Sequence, residues 1–245
     1  MSDLKGRVAL VTGGSGGIGR AIALDLAEDG ARVAVHYASS GDRAREVVEE
    51  ITAGGGEAVA LAADLALAAE PDALVAQVEQ RLGPVDVLVA NHGVGVRRAS
   101  IDEVDADTWD RTLAINTRAP FLLVRRVLPG MRERRFGRML LTSSVAGLLG
   151  GIIGPDYAAS KAALHGMMHY VSGRVAADGV TINALAPALI KDTGMLPGDP
   201  EELAAMIPVG RVGTPAEVSG IALAVLRNGY MTNHVIPVDG GMFAY

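Results

Sequence analysis

Short apolar runs with little polar alternation recur along the chain at Val8–Val11, Arg32–His36, Ala58–Ala62, Val85–Ala90, Arg138–Thr142, Thr181–Ala184 and Val235–Val238. An unalternated run of four to six residues is the pattern of a strand buried on both faces. Between these runs the apolar positions repeat at helical spacing, over Ile18–Glu28, Gly41–Ala53, Pro71–Arg81, Asp107–Arg134, Asp156–Ala177 and Pro215–Leu226. Strand and helix in alternation predict an α/β fold, an approximately seven-stranded parallel sheet with helices on both faces. No linker, repeat or low-complexity tract divides the chain, so residues 1–245 are expected to form a single domain.

The first run leads straight into Thr12-Gly13-Gly14-Ser15-Gly16-Gly17-Ile18-Gly19, and a helical pattern follows. Strand, glycine turn and helix in that order form the context of a dinucleotide-binding turn. Gly13 and Gly17 would let the backbone approach a pyrophosphate, with Ser15, Gly16 and Ile18 beside them. Gly19 would let helix and strand pack closely, and the anion would rest on free N–H groups at the helix N-terminus. Far along the chain, Tyr157 and Lys161 stand four residues apart in a helical stretch, and Ser144 lies thirteen positions before the tyrosine. Residues at i and i+4 share a helix face, so phenol and ammonium would point into one cleft. The positive charge is expected to pull the phenol pKa down toward neutrality and make Tyr157 an acid/base at working pH. Ser144, at a strand end, would hydrogen-bond a reacting carbonyl oxygen.

Thr12-Gly13-x-x-x-Gly17-Ile18-Gly19, Asn91-His92-Gly93, Asn116, Ser144 and Tyr157-x-x-x-Lys161 resemble, in order and spacing, the short-chain dehydrogenase/reductase family, over essentially the whole chain. The chain looks most like the 3-oxoacyl-[acyl-carrier-protein] reductase branch. The resemblance implies a Rossmann fold with nicotinamide as hydride carrier. It implies Tyr157 as proton donor, Ser144 as carbonyl holder, Lys161 on the nicotinamide ribose and Asn116 completing a proton relay at a helix kink. It also places Asp64 and Leu65 near the adenine, Asn91 and Gly93 beside the cofactor, Pro187, Ile190 and Thr193 near the nicotinamide, and a homotetramer as the assembly.

Two departures from the family pattern bear on the cofactor. An acid usually binds the adenosine ribose about 20 positions beyond the glycine turn, but Val35-His36-Tyr37-Ala38-Ser39-Ser40 holds none. Ser39, Ser40 and Arg43 could donate to a 2′-phosphate instead, which favours NADP over NAD. Gly16 stands where NADP-using relatives often carry a basic residue. His36 itself reads as a partly exposed strand-end residue with no ligand, and His92, where relatives often have alanine, as a space filler. Pro187-Ala188-Leu189-Ile190-Lys191-Asp192-Thr193 replaces the family's Pro-Gly and displaces its threonine by one place.

Composition narrows the function. In 245 residues, 49% are hydrophobic and the net charge is −6, which argues against an electrostatic nucleic-acid partner. No cysteine is present, so disulfides and thiolate metal sites are excluded, and no metal is expected. The N-terminal Met1–Gly6 lacks an apolar signal segment and no long apolar run suggests a membrane span, which makes the cytoplasm the expected location. Leu148–Gly154 reads as a greasy wall suited to an acyl or other apolar ketone or, equally, as core. Residues 189–207 read as a mobile lid, and Val94–Arg98 as part of the entrance. Met167, Met168, His169 and Tyr170 read as interface or core. Arg132, Arg134, Arg135 and Arg138 form a basic cluster, either a solvated face or a docking site for an acidic acyl-carrier protein.

The leading expectation is therefore an NADP-dependent reductase of a 3-oxoacyl thioester. The same chemistry on a polyketide, steroid or sugar derivative is the alternative, and a non-catalytic NAD(P) sensor is the alternative from another class.

Overall fold

The computed structural model describes residues 4–196 and 198–243. Met1–Asp3, Pro197 of the expected lid, and residues 244–245 lie outside them. Seven strands, β1 (Val8–Val11), β2 (Arg32–Tyr37), β3 (Ala58–Ala62), β4 (Val87–Ala90), β5 (Gly137–Thr142), β6 (Val180–Pro187) and β7 (Val235–Val238), form one sheet. Its order is β3-β2-β1-β4-β5-β6-β7, and every pair is parallel.

The unalternated strands are explained by what covers them. Leu10, Leu88, Met139 and Leu141 enter one core and Val11, Val87, Val89 and Leu140 the other. On the first face lie α3 (Glu70–Leu82), α5 (Ala119–Glu133) and α7 (Pro155–Val175), through Leu74, Val78, Leu123, Val127, Leu164 and Met168. On the second lie α1 (Gly17–Glu28), α2 (Gly41–Ala53) and α9 (Pro215–Arg227), through Ile22, Leu26, Val47, Ile51, Val218 and Ala222. A start signal absent from the hydrophobic pattern marks α9: Thr214 and Glu217 form a capping box, with Pro215 in the first turn.

The long helix expected over Asp107–Arg134 is interrupted. It runs as α4 (Ala106–Leu113), a π-helical turn over Ala114–Arg118, and α5. Ala119 N–H bonds to Ala114 O, one residue further back than an α-helix allows, and Pro120 can offer no N–H at all. Two short helices were not legible in the pattern: α6 (Ala146–Leu149) after β5, and α8 (Pro200–Ala204) within the expected lid.

In this order the chain leaves β1 toward β2 and β3 on one side and toward β4 on the other. The crevice above the carboxyl ends of β1 and β4 is thus the topological switch point. The glycine turn follows β1, Asn91–Gly93 follow β4 and Ser144 follows β5, so all three reach this crevice.

The basic cluster lies at the opposite end of the strands from the crevice, around the amino end of β5. Arg134 Nε lies 3.3 Å from Asp86 and its Nη2 donates to Val85 O. Arg132 pairs with Asp178 at 2.6 Å, Arg135 donates to Ala177 O, and Arg138 is buried, with its guanidinium over the Phe136 ring. These arginines tie loops to the sheet, while Arg132, Arg134 and Arg135 remain exposed, as a solvated face requires, and Arg138 alone is buried. On α7, Met168 is core and Met167 packs against it, whereas Tyr170 is exposed. No helix among the described residues is long and apolar enough to cross a membrane.

Candidate active site

Three glycines in the turn after β1, Gly13, Gly17 and Gly19, answer a steric demand. Gly13 and Gly17 adopt φ of +63° and +51°, the left-handed region that side chains resist. A Cβ on Gly19 would collide with the Gly13 carbonyl and stand 2.6 Å from Asn91 Nδ2. Gly16 caps α1 without a side-chain bond, and the first turn of α1 carries no acid. The first N–H groups of a twelve-residue helix therefore face the crevice unspent. A turn in which Cβ atoms on Gly13, Gly17 and Gly19 would be crowded or strained, over an uncapped helix end, fits a pyrophosphate.

The turn is held from below by residues whose roles were not read correctly from sequence. Gly13 N–H donates to His36 Nδ1 at 3.1 Å, and His36 Nε2–H donates to Ala63 O at 3.1 Å. His36 is 2% exposed, not the partly exposed, ligand-free residue expected. Its position at the end of β2 leaves only two outcomes, outward to solvent or inward to the turn, and only the neighbouring backbone decides between them. Burial lowers its pKa to about 4, which keeps it neutral and Nδ1 an acceptor. His92 is likewise no inert filler. Its Nδ1 meets Thr12 Oγ1 at 2.7 Å and its Nε2 meets Ile115 O at 3.0 Å.

Tyr157 and Lys161 face the crevice from the first turns of α7, and both are buried. Lys161 Nζ donates to Thr142 O at 2.7 Å and lies 5.7 Å from the centroid of the Tyr157 ring. Burial lowers the lysine pKa to about 8. The expected downward pull on the phenol is not what the structure shows. Burial pushes the Tyr157 pKa up, and the Ser144 hydroxyl pulls the other way. Lys161 spends its ammonium on a carbonyl beyond hydrogen-bond reach of the phenol, so removal from water dominates.

Ser144 Oγ accepts from Ala146 N–H at 3.1 Å and lies 3.4 Å from Pro187 O, between the ends of β5 and β6. Its neighbour Ser143 is turned away, bonded to Lys161 O and His165 Nε2. Asn116, fully buried in the π turn, accepts from Val94 N–H and donates to Val94 O, both at 2.8 Å, and donates to Ser160 Oγ. A Cβ on Gly93 would lie 3.2 Å from Lys161 Nζ and 3.3 Å from Asn116 Oδ1. The glycine is thus the spacer across which lysine and asparagine converge.

The cleft encloses about 290 Å³. Gly13, Gly16, Gly17, Ile18, Asn91, Gly93, Ser144, Tyr157, Lys161, Pro187, Ile190 and Thr193 line it, so most of the predicted set is brought together. The Thr193 backbone lies against Gly17, the contact where the expected lid meets the turn.

Other predicted residues fall outside the cleft. Gly19 and Asn116 support it from behind, and Ser15 stands in the turn without lining it. Ser39 is exposed beyond β2, and Ser40 precedes α2 without capping it. Asp64 folds back to accept from Ala66 N–H, the local turn that competes with an adenine role. The Leu65 side chain is buried in the core, which leaves its backbone as the part that could face an adenine.

The remaining walls are apolar. Gly151, Ile152 and Ile153 come from the stretch expected to be greasy, although Leu149 points to solvent at 54% exposure. Met195, Leu196 and Met206 come from the lid stretch, and Met242 from near the C-terminus, where nothing in the sequence marked it. No carboxylate or guanidinium lines the cleft among the described residues.

Comparison with known proteins agrees with this arrangement. A family model for short chain dehydrogenases matches residues 7–203. The chain is 37% identical over 248 residues to a 3-oxoacyl-[acyl-carrier-protein] reductase of Synechocystis sp., covering 100% of both. Among solved structures, a blue fluorescent protein from a metagenomic library, in complex with NADPH, superposes with a TM-score of 0.92 at 37% identity, over 99% of this chain and 100% of that one. A 3-oxoacyl (acyl-carrier-protein) reductase from Agrobacterium tumefaciens C58 with NADP bound gives 0.91 at 34% identity, over 97% and 95%.

Proposed function

The chain belongs to the short-chain dehydrogenase/reductase family, and from that premise we propose that it reduces a 3-oxoacyl thioester to the 3-hydroxyacyl thioester with NADPH. It is an NAD(P)-dependent oxidoreductase acting on CH–OH groups. The observation that carries the finer reading is the convergence of Ser144, Tyr157 and Lys161 on a cleft whose other walls are apolar and free of charge. Such walls fit an acyl chain and disfavour a free sugar.

The chain's own groups divide the work. The Ser144 hydroxyl donates to the ketone oxygen and holds it toward the tyrosine. Tyr157 donates its proton to that oxygen as the carbonyl carbon is reduced. Its raised pKa suits this direction, since the protonated phenol is the form required at neutral pH. Lys161 would hold the nicotinamide ribose, and an ammonium with a pKa of about 8 can exchange protons at working pH. Asn116 fixes the loop at Val94 against the π turn and keeps the lysine side of the relay in place. Nicotinamide, when bound, supplies the hydride, which no side chain can.

Preference for NADPH is supported by the absence of an acid after β2, where Ser39, Ser40 and Arg43 stand. With the basic cluster at the far, amino end of the strands, an acyl-carrier protein would have to approach over the Val94–Arg98 loop and the lid stretch. A homotetramer belongs to the same proposal. A panel of ketones, including a small 3-oxoacyl thioester, assayed with NADPH and NADH at the cofactor absorbance tests the reading. The expected outcome is fastest turnover of the thioester with NADPH. No turnover of any ketone with either nucleotide would refute it.

A further inference from the structure

His92 lies between two parts of the machinery, the glycine turn and the π turn. On one side is Thr12, the last residue before the glycine turn. Its hydroxyl accepts from Asn91 N–H at 2.9 Å and meets His92 Nδ1 at 2.7 Å. On the other side is Ile115, inside the π turn that carries Asn116. The carbonyl of Ile115 cannot be satisfied by its own helix. Ala119 N–H, its normal partner four residues on, is spent on Ala114 O, and the next residue is Pro120, which has no N–H. A buried carbonyl left without a donor is costly, and His92 Nε2–H meets this one at 3.0 Å. A carbonyl can only accept, so Nε2 carries the proton and Nδ1 accepts from Thr12, which fixes the tautomer. The ring is 9% exposed, so little water reaches either bond.

We propose that His92 is a positioning residue that holds the π turn of the relay asparagine in place, its Nε2–H supplying the donor that Ile115 O lacks while Thr12 Oγ1–H to Nδ1 fixes the tautomer that does so. The role rests on the reductase reading, because it gives Asn116 a relay to serve. The imidazole does not touch the reacting carbonyl. It sets where the π turn sits relative to the strand end that bears the nucleotide. Burial lowers its pKa to about 3, so this neutral linkage persists across the working pH range.

Two substitutions separate the two bonds of the ring. In His92→Asn the amide oxygen can replace Nδ1 toward Thr12, but the side chain stops short of Ile115. In His92→Gln the amide nitrogen reaches the position of Nε2 and restores the donor. Hydrogen–deuterium exchange of the segment 111–121 in the cofactor-free protein reads the π turn without reference to activity. We expect exchange there to quicken about tenfold in His92→Asn, as one lost buried hydrogen bond implies, and to stay near wild type in His92→Gln. Turnover should follow the same order, with kcat down about tenfold in the asparagine variant and NADPH Kd within about twofold of wild type in both.

Wild-type exchange and turnover in His92→Asn would overturn the proposal. So would equal losses in the two variants, because that pattern marks a residue that only fills space. If exchange behaves as expected while wild-type protein reduces no ketone, the positioning role stands and the reductase reading falls.

Discussion

Replacing Lys161 by methionine should change how stability depends on pH, and the size of the change follows from the site. The ammonium is buried and its only hydrogen bond among those described is to Thr142 O. Burial lowers its pKa from 10.5 to about 8, and at about 1.4 kcal/mol per pH unit this amounts to roughly 3 kcal/mol. The sign follows from proton counting. Between pH 10.5 and about 8 the unfolded chain takes up a proton that the native state refuses, so stability falls as the pH drops through that window. Below pH 8 both states hold the proton and the penalty is constant. The methionine variant lacks this contribution, and its lost bond to Thr142 adds an offset that does not vary with pH. Tyr157 titrates in both proteins and largely cancels. Wild type should therefore gain about 2–3 kcal/mol on the variant between about pH 7 and pH 10. Urea unfolding followed by circular dichroism at a series of pH values measures the difference directly. A difference that stays flat over that range would show that the ammonium is not desolvated, and the description of Lys161 would be wrong.

Three further substitutions probe the turn and the carbonyl holder. A Cβ on Gly16 meets nothing within 4 Å, so Gly16→Arg should fold normally and raise the preference for NADPH over NADH about tenfold by a charge-assisted phosphate contact, read as a ratio of Kd values. Gly19→Ala should do the opposite of a tolerated change. Its methyl would collide with the Gly13 carbonyl, so thermal unfolding should show a loss of about 1–3 kcal/mol and titration should show weakened nucleotide binding. Ser144→Ala should lower kcat about 10²–10³-fold while leaving nucleotide Kd unchanged, in steady-state kinetics paired with binding.

The central strands were legible because burial on both faces leaves an apolar run, as at Val8–Val11 and Val87–Ala90, and the partly buried edge strands Ala58–Ala62 and Val235–Val238 also match the observed limits. The glycine turn was legible because Gly13, Gly17 and Gly19 each meet a constraint that other residues fail. Three features were not. The π turn came from a backbone bond shifted by one residue at Ala119, which apolar spacing does not encode. The Tyr157 pKa could not be signed from a lysine four residues away, since the lysine's hydrogen bond to Thr142 O and the depth of burial are tertiary facts. His36 and His92 were underrated for the same reason. A histidine at a strand end becomes a buried linker only if an unmatched N–H or carbonyl faces it, as Gly13 and Ile115 do.

Tyr157→Phe tests the central claim most directly, because it removes one oxygen and the proton it carries while the ring stays in place. With the preferred ketone and NADPH, kcat should fall about 10²–10⁴-fold, and NADPH Kd should remain at the wild-type value. Turnover near wild type in that variant would mean that the phenol does not deliver the proton, and the mechanism built on it would be contradicted.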